Sequence, residues 1–240
     1  MKVLAYTDLW CLAVVAVVSY FIGCFNFAVI ISHIKKKDIR SQGSGNPGSM
    51  NMTRTFGLKI GAINFFCDVI KGGLPAVIAW IIFKDYVFEG TTVIVSDFMR
   101  YFCGLFVIIG HIFPVTMKFK GGKGIASTMG LFAFALPCEP NGWWYFFVVV
   151  AFLTGVLLYI IFTEWGSMGS LIGVSGLTIF QAVLFILRYS DNLSNPWIIS
   201  VFMILLLINF LTWFAHRQNI FKLVAGEEHH TAVRKHKKKA

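Results

Sequence analysis

Seven apolar stretches, separated by short polar loops, constrain this chain of 240 residues more than any other feature of its sequence. They cover residues 9–31, 56–83, 98–113, 124–137, 143–163, 166–187 and 196–215. A helix that spans a lipid bilayer needs roughly 20 apolar residues, and most of the stretches are that long. Only 13% of the residues are charged and 57% are hydrophobic, which leaves too little polar surface for a water-soluble protein of this size. The sequence therefore predicts an all-α integral membrane protein with about seven transmembrane helices in one bundle.

The third and fourth stretches, 98–113 and 124–137, are too short to cross the hydrocarbon layer straight. They are interpreted as helices in a thin region or as partly re-entrant helices, and a count of five spans stays open. The first stretch is longer than the roughly 7–15 apolar residues of a signal peptide, so we expect it to remain as a span. We expect residues 1–228 to form a single transmembrane domain and residues 229–240 to form a basic tail.

The charged residues of the loops predict the orientation of the chain in the membrane. Basic residues lie in the first and third loops and in the tail, as Lys35, Lys36, Lys37, Arg40, Arg54, Lys118, Lys120, Lys123 and the terminal VRKHKKKA. The other loops carry Asp85, Glu89, Asp97, Glu139 and Asp191. The positive-inside rule then places the N-terminus outside and the C-terminus in the cytoplasm. The net charge of +10 fits anionic lipid heads or small anionic substrates, because no basic domain is present to hold nucleic acid.

The first of three polar stretches with candidate chemistry is residues 41–54, SQGSGNPGSMNMTR. Its glycines allow backbone N–H groups to turn toward a ligand, and its side chains add donors that suit a phosphate. The candidate binding residues are Ser44, Gly45, Asn46, Asn51 and Arg54. The alternative interpretation is an ordinary turn of glycine and asparagine.

The second polar stretch, residues 110–124, ends in a glycine-rich loop at the start of an apolar run. Free N–H groups and the helix dipole both favour an anion at such a position. The candidate binding residues are His111, Lys120, Gly121, Gly122, Lys123 and Gly124. The loop is not a Walker A motif, because Met117 and Gly124 occupy positions that require Gly and Ser or Thr, so a nucleotide-driven motor is disfavoured. The alternative is a cytoplasmic loop whose lysines only set the topology.

The third polar stretch follows the last span and contains His216 and Asn219, which share a face if the helix continues. The alternative is that His216 is only stabilised by the helix dipole at the end of the last span.

Within the second span, Asp68 and Lys71 are three residues apart and are interpreted as a structural pair, although charge inside a membrane also indicates a functional site. The five cysteines indicate neither a disulfide framework nor a zinc site.

Taken together, the three stretches resemble the motifs of the PlsY family, bacterial membrane acyltransferases that transfer a fatty acyl group from acyl phosphate to glycerol 3-phosphate. The matching segments are GSGNPGSMNMTR, GHIFPVTMKFKGGKGIAST and HRQNIFKLVAGEE, in the right order and on the expected side, and DVIKGG in the second span also fits. The resemblance runs from about residue 9 to about residue 228. Ser49-Met50 stands where Ala-Thr is usual, and Ala215 replaces a common basic residue.

The resemblance implies the following residue roles. His216 positions or deprotonates the attacking hydroxyl, with a phosphate oxygen of the substrate as the alternative base, and Asn219 donates to the oxyanion. The N–H groups of Gly121, Gly122 and Gly124, with Lys120 and Lys123, hold one phosphate, while Ser44, Asn46 and Arg54 contact phosphate or glycerol. Gly45, Asn51 and His111 belong to the same substrate-binding set, and Asp68, Lys71 and Glu228 are structural.

The resemblance also implies a multi-pass protein of the bacterial plasma membrane that uses no metal or nucleotide cofactor and binds no nucleic acid. Its expected partners are acyl phosphate, glycerol 3-phosphate, membrane lipid and, as a candidate, the enzyme that makes acyl phosphate. An enzyme that takes the acyl group from a thioester is one alternative. A transporter for phosphorylated solutes is another, although the polar stretches lie on one side only. A scaffold without activity would not explain HRQN beside GGKG.

Overall fold

The structure, a computed structural model, describes residues 1–140 and 142–227, so Glu228 and the basic tail lie outside it. The described helices are α1 (Trp10–Cys24), α2 (Phe27–Ile34), α3 (Ser49–Phe56), α4 (Leu58–Phe83), α5 (Val95–Ile112), α6 (Ile125–Ala135), α7 (Tyr145–Thr163), α8 (Gly166–Arg188), α9 (Pro196–Ala215) and α10 (Arg217–Val224). Two short strands, β1 (Lys2–Leu4) and β2 (Tyr86–Phe88), pair in parallel, with Val3 opposite Val87. The sequence did not predict this strand pair.

Six segments of the described chain are long and apolar enough to cross a membrane. They are Tyr6–Ile34, Leu58–Phe83, Val95–Met117, Gly142–Thr163, Gly166–Arg188 and Pro196–Ala215. The predicted fourth stretch is present as a shorter apolar segment, Ile125–Cys138. The all-helical membrane bundle is therefore confirmed, and the third span, which was expected to be short, extends past the predicted stretch 98–113 at both ends.

Asp97, at the start of this span, belongs to a buried arginine cluster, formed by Asp97, Arg100, Glu139 and Arg188. The guanidinium of Arg100 donates to Asp97 at 2.7 Å and to Glu139 at 2.8 Å, and Arg188 lies 2.9 Å from both carboxylates. Two positive and two negative charges balance, which makes burial of the cluster tolerable. Asp97 was expected in a loop, but it lies in the first turn of α5 because this pairing draws it inside.

The first span is broken between α1 and α2. Asn26 caps α2, since its Oδ1 accepts from the N–H of Val29 at 3.1 Å, and its amide group donates to the carbonyl of Pro47 at 3.3 Å. Backbone carbonyls at the end of α1 lose their helical partners at this break. One of them, Phe25 O, accepts a hydrogen bond of 2.7 Å from Lys71 Nζ on α4.

Glycines allow the central helices to approach closely. A Cβ at Gly23 of α1 would lie 2.2 Å from the carbonyl oxygen of Val107 in α5. A Cβ at Gly130 of α6 would lie 2.0 Å from the carbonyl oxygen of Val69 in α4. Small residues at such crossings are typical of membrane helices, where close packing replaces the hydrophobic driving force between helices. The α4–α6 crossing also fixes the position of the second polar loop, because that loop leads directly into α6.

Candidate active site

The first polar loop is shaped by the buried side chain of Asn51. Its Oδ1 accepts from the N–H of Ser44 at 3.2 Å, and its amide group donates to the carbonyls of Gln42 at 2.9 Å and Ile39 at 3.2 Å. Gly45 has a φ of +70°, a conformation that glycine adopts without strain. Asn51 therefore holds the loop by its side chain, and the exposed side chain of Ser44 is left on the surface of the loop.

Two further expected binding residues belong to this loop and to the helix that follows it. Asn46 is partly buried, and its N–H donates to Ser44 Oγ at 3.4 Å. Arg54 is exposed on α3, one turn after Asn51. The loop and α3 thus carry a hydroxyl, an amide and a guanidinium, which are groups that suit an anionic ligand.

In the second polar loop, the glycines fold back onto the end of α5. The N–H of Gly121 donates to the carbonyl of Ile112 at 3.0 Å, and the N–H of Gly122 donates to that of His111 at 3.1 Å. A Cβ at Gly122 would lie 2.3 Å from Nε2 of His111, so only glycine fits. These two N–H groups, which we expected to face a phosphate, are therefore engaged with the main chain. The need for glycine here comes from close packing.

The anion-binding character of this loop lies at the start of α6. Gly124 precedes the helix with a φ of +79°, and the N–H groups of the first turn have no acceptor within the helix. The positive end of the helix dipole adds to their attraction for an anion. Lys123 and the exposed Lys120 come directly before this end. Backbone and side-chain donors therefore converge at the α6 N-terminus.

The third polar stretch contains a helix break at His216. α9 ends before it and α10 begins after it, so the helix does not continue unbroken, but Asn219 stays close because its N–H donates to the carbonyl of His216 at 2.8 Å. Nδ1 of the buried His216 lies 2.9 Å from the carbonyl oxygen of Thr212. A carbonyl can only accept, so Nδ1 carries the ring proton and Nε2 keeps its lone pair. Burial and the charge of Lys123 lower the pKa of His216 to about 4.

Lys123 joins the second and third polar stretches. Its Nζ donates to Oδ1 of Asn219 at 2.6 Å, and Nδ2 of Asn219 donates to Oγ of Ser167 at 2.8 Å. The structure therefore brings Lys123, Asn219 and His216 to one place, as expected for residues that act together. Sequence reasoning missed Ser167, although its position at the start of α8 places it on the same side of the membrane as the three loops.

A second set of polar contacts, the Lys71 network, is buried beneath the loops and consists of Asn64, Asp68, Lys71 and His111. Lys71 Nζ lies 2.9 Å from Oδ1 of Asp68 and 2.9 Å from Nδ1 of His111. Asn64 donates to Asp68 at 3.1 Å and to Ser49 at 2.9 Å. The network runs from the start of α3 to the glycine loop. Asn64 was missed, although its spacing of four residues from Asp68 puts both on one helix face.

No group of three or more His, Cys, Asp and Glu side chains in the described ranges is arranged to hold a metal ion. The site consists instead of amide, hydroxyl, imidazole and ammonium groups. Such groups bind anions and transfer protons, and they lie at the end of the bundle opposite to the arginine cluster.

Comparison with known proteins identifies a family for this arrangement. The glycerol-3-phosphate acyltransferase family model matches residues 13–226. The glycerol-3-phosphate acyltransferase of Mycoplasma mobile is 37% identical over 229 residues, covering 88% of each chain. That of Finegoldia magna is 35% identical over 218 residues, covering 90% of this chain and 94% of the relative.

Solved structures agree with this match. The crystal structure of PlsY (YgiH), an integral membrane glycerol 3-phosphate acyltransferase, in its glycerol 3-phosphate form has a TM-score of 0.73 and is 27% identical, covering 92% of this chain and 95% of that one. The lysophosphatidic acid form of that protein has a TM-score of 0.71. The match spans all three polar stretches and the bundle that carries them, so this chain belongs to the glycerol-3-phosphate acyltransferase family of PlsY.

Proposed function

We propose that this acyltransferase transfers a fatty acyl group from acyl phosphate to the 1-hydroxyl of glycerol 3-phosphate. The products are 1-acyl-glycerol 3-phosphate, which is lysophosphatidic acid, and inorganic phosphate. We place the reaction at the cytoplasmic face of a bacterial plasma membrane, as the first step of phospholipid synthesis. The observation that supports acyl phosphate as the donor is the presence of two basic or amide-rich loops at one end of the bundle. Two such loops can bind two phosphate groups, and with this donor each substrate brings one.

In the proposed reaction, Nε2 of His216 accepts the proton of the substrate hydroxyl as its oxygen attacks the acyl carbon. The lowered pKa keeps the imidazole neutral near pH 7, so its lone pair is available. The bond between the acyl carbon and the phosphate oxygen then breaks, and phosphate leaves. The α6 N-terminus and Lys123 stabilise the charge that develops on this leaving group.

Asn219 is assigned to the developing oxyanion on the acyl carbon. One amide hydrogen of its Nδ2 is used by Ser167, and the second is available for the substrate oxygen. Its Oδ1 accepts from Lys123, which fixes the orientation of the amide. A donor held in this way loses little freedom when charge appears, which is the condition for effective oxyanion stabilisation.

An apolar groove between the first span and α4 is the candidate site for the acyl chain. It has a volume of about 380 Å³, and its lining runs from Ile22 and Phe25 past Lys71 to Ile78. Each CH₂ group that it buries contributes about 0.8 kcal/mol. Lys71 belongs both to this groove and to the network below the glycine loop, so a chain in the groove would start near the phosphate site.

The test is phosphate release by purified protein supplied with palmitoyl phosphate, with and without glycerol 3-phosphate. Palmitoyl thioesters of coenzyme A and of acyl carrier protein serve as alternative donors. We expect release that depends on the acceptor and is accompanied by lysophosphatidic acid. Product formed from a thioester but not from palmitoyl phosphate would overturn the proposed donor. A folded protein that forms no product from any of these donors would overturn the proposal as a whole.

A further inference from the structure

Lys71 occupies an unusual position for a residue predicted to form a simple ion pair. Its ammonium group is buried inside the bundle and contacts groups from three separate elements. It lies 2.7 Å from the carbonyl of Phe25 at the break in the first span, and 2.9 Å from both Asp68 on its own helix and His111 on α5. Removing this one side chain would therefore remove the polar contacts that link the first span, α4 and α5.

The contact with His111 determines the state of that ring. An ammonium group can only donate, so Nδ1 of His111 accepts and the proton of the neutral ring lies on Nε2. That nitrogen is close to Gly122, where a Cβ would approach it within 2.3 Å. The carbonyl of His111 also accepts from the N–H of Gly122. Both the ring and the main chain of His111 therefore support the glycine loop.

The loop in turn aims Lys123. Gly122 is fixed on His111, and the next residue reaches Asn219 at 2.6 Å. Stability alone does not explain why a charged pair is buried here. Exchanging a buried ion pair for well-packed apolar residues is often neutral or stabilising, because desolvation of the charges offsets their attraction. The geometry that the pair imposes on its neighbours is the more informative property.

We propose that Lys71, held by Asp68, is a positioning residue for the reaction. It fixes His111, and through His111 it holds the loop of Gly121–Gly124 in the conformation from which Lys123 meets Asn219. Without this support the loop and the α6 N-terminus lose their alignment, so binding of a phosphorylated substrate weakens while the bundle stays folded. The inference rests on the proposed function.

The experiment uses the double variant Asp68→Leu with Lys71→Met in the full chain. Removing both charges leaves no unpaired buried ion, so we expect thermal unfolding close to that of the wild type. The single variant Lys71→Met leaves Asp68 without its counter-charge and is expected to unfold at lower temperature. For the double variant we expect a KM for glycerol 3-phosphate or palmitoyl phosphate at least tenfold higher than wild type, with a smaller change in kcat. Lys84→Met is the control, because Lys84 is exposed and directly follows the end of the same helix.

A second variant, His111→Leu, covers the case in which the double variant fails to fold. It removes the acceptor but leaves the ion pair of Asp68 and Lys71 intact, and we expect the same rise in KM. When Asp68→Leu, Lys71→Met and His111→Leu are combined in one protein, the rise in KM should be no larger than in the double variant or in His111→Leu alone. The reason is that Lys71 acts through His111. Additive effects would show that Lys71 does not act through His111 and would overturn the inference.

Titration calorimetry with glycerol 3-phosphate in the absence of a donor separates this inference from the proposed function. A wild-type protein that releases no phosphate from palmitoyl phosphate refutes the proposed donor. Folded double and His111→Leu variants whose KM values and glycerol 3-phosphate affinity both equal those of the wild type refute the positioning role. A higher KM for either phosphorylated substrate in both variants, together with wild-type behaviour of Lys84→Met, supports it.

Discussion

Asn219 and Asn209 make the same kind of side-chain contact in two different surroundings. Each asparagine donates from Nδ2 to a serine of α8, Asn219 to Ser167 at 2.8 Å and Asn209 to Ser175 at 3.3 Å. Only Asn219 also accepts from Lys123 and follows His216 within one turn. The contact with α8 is therefore structural in one case and part of the site in the other.

This difference gives a matched pair of substitutions. We expect Asn219→Ala to lower kcat by about 10²–10³, the usual loss when an oxyanion donor is removed. Asn209→Ala removes a similar link to α8 and should leave kcat within about threefold of wild type, since it touches no candidate catalytic group. The measurement is steady-state phosphate release, with thermal unfolding of both variants as the check on folding. Equal losses in the two variants would show that Asn219 acts only through helix packing.

The ionisation of His216 predicts a pH dependence of stability. Its pKa is about 4 in the folded protein, below the ordinary value of 6.5. The unfolded chain therefore binds a proton between these values that the folded chain does not. The stability that the folded protein gains from a neutral His216 is complete above about pH 6.5 and is lost as the pH falls toward 4.

We expect the unfolding temperature to fall across this range, and to fall less in His216→Gln. Because carboxylates elsewhere titrate at similar pH, the informative quantity is the difference between the two pH profiles, measured by thermal unfolding in detergent. Parallel profiles would contradict the burial of a neutral imidazole.

At the scale of single residues, the sequence selected side chains that the structure brings together, but it did not predict all of their partners. Residue type, topology and the match to the family's motifs pointed to His216, Asn219 and Lys123, and the structure brings them together. The engagement of the Gly121 and Gly122 N–H groups could not be predicted, because a glycine loop offers its amides equally to a phosphate or to nearby carbonyls. Which of these it meets depends on how the loop folds against α5.

At the scale of helices, hydrophobicity predicted most boundaries within a few residues. The predicted stretch 56–83 corresponds to α4 at Leu58–Phe83, and 196–215 corresponds to α9 at Pro196–Ala215. The break in the first span was not predicted, because Phe25 and Asn26 interrupt the apolar pattern only slightly. The break depends on a cap by Asn26 and a donor from Lys71, which is distant in sequence.

The α4–α6 crossing gives a prediction at this scale. A Cβ at Gly130 would lie 2.0 Å from a main-chain oxygen of α4, so Gly130→Ala must push the two helices apart. We expect a loss of about 1–3 kcal/mol in stability, as is typical of overpacked sites. Turnover should also fall, because α6 carries the anion site at its N-terminus. The measurements are thermal unfolding and steady-state phosphate release.

Gly155→Ala on α7 is the control, since a Cβ there meets nothing within 4 Å and alanine favours a helix. Equal stability and equal activity of Gly130→Ala and Gly155→Ala would contradict the close packing of α4 and α6 at Gly130.

At the scale of the whole molecule, polar groups are divided between the two ends of the bundle. The candidate site lies at one end, and the arginine cluster closes the other with charges that neutralise each other. The composition of each loop was readable from the sequence, but the cluster was not, because Arg100 and Glu139 are 39 residues apart and their contact exists only in the folded bundle. A net positive charge therefore remains mainly at the end with the candidate site.

This distribution of charge predicts which end faces the cytoplasm. The loop with Lys35, Lys36 and Lys37 lies at the end with the candidate site, whereas Asp191 follows α8 at the other end. By the positive-inside rule, we expect the candidate site to face the cytoplasm. Lys37 and Asp191 are both exposed and lie outside the candidate site, so cysteines at these two positions report the orientation without touching the chemistry.

The experiment places Lys37→Cys or Asp191→Cys in a chain whose five native cysteines are replaced by alanine. A maleimide that does not cross membranes should label Asp191→Cys in intact cells with an accessible plasma membrane, and Lys37→Cys only after permeabilisation. Retained acyltransferase activity confirms that each variant is folded. The reverse labelling pattern would place the site outside the cell, where it would have to draw both phosphorylated substrates from the medium. That result would refute the proposed cytoplasmic reaction while leaving family membership unchanged.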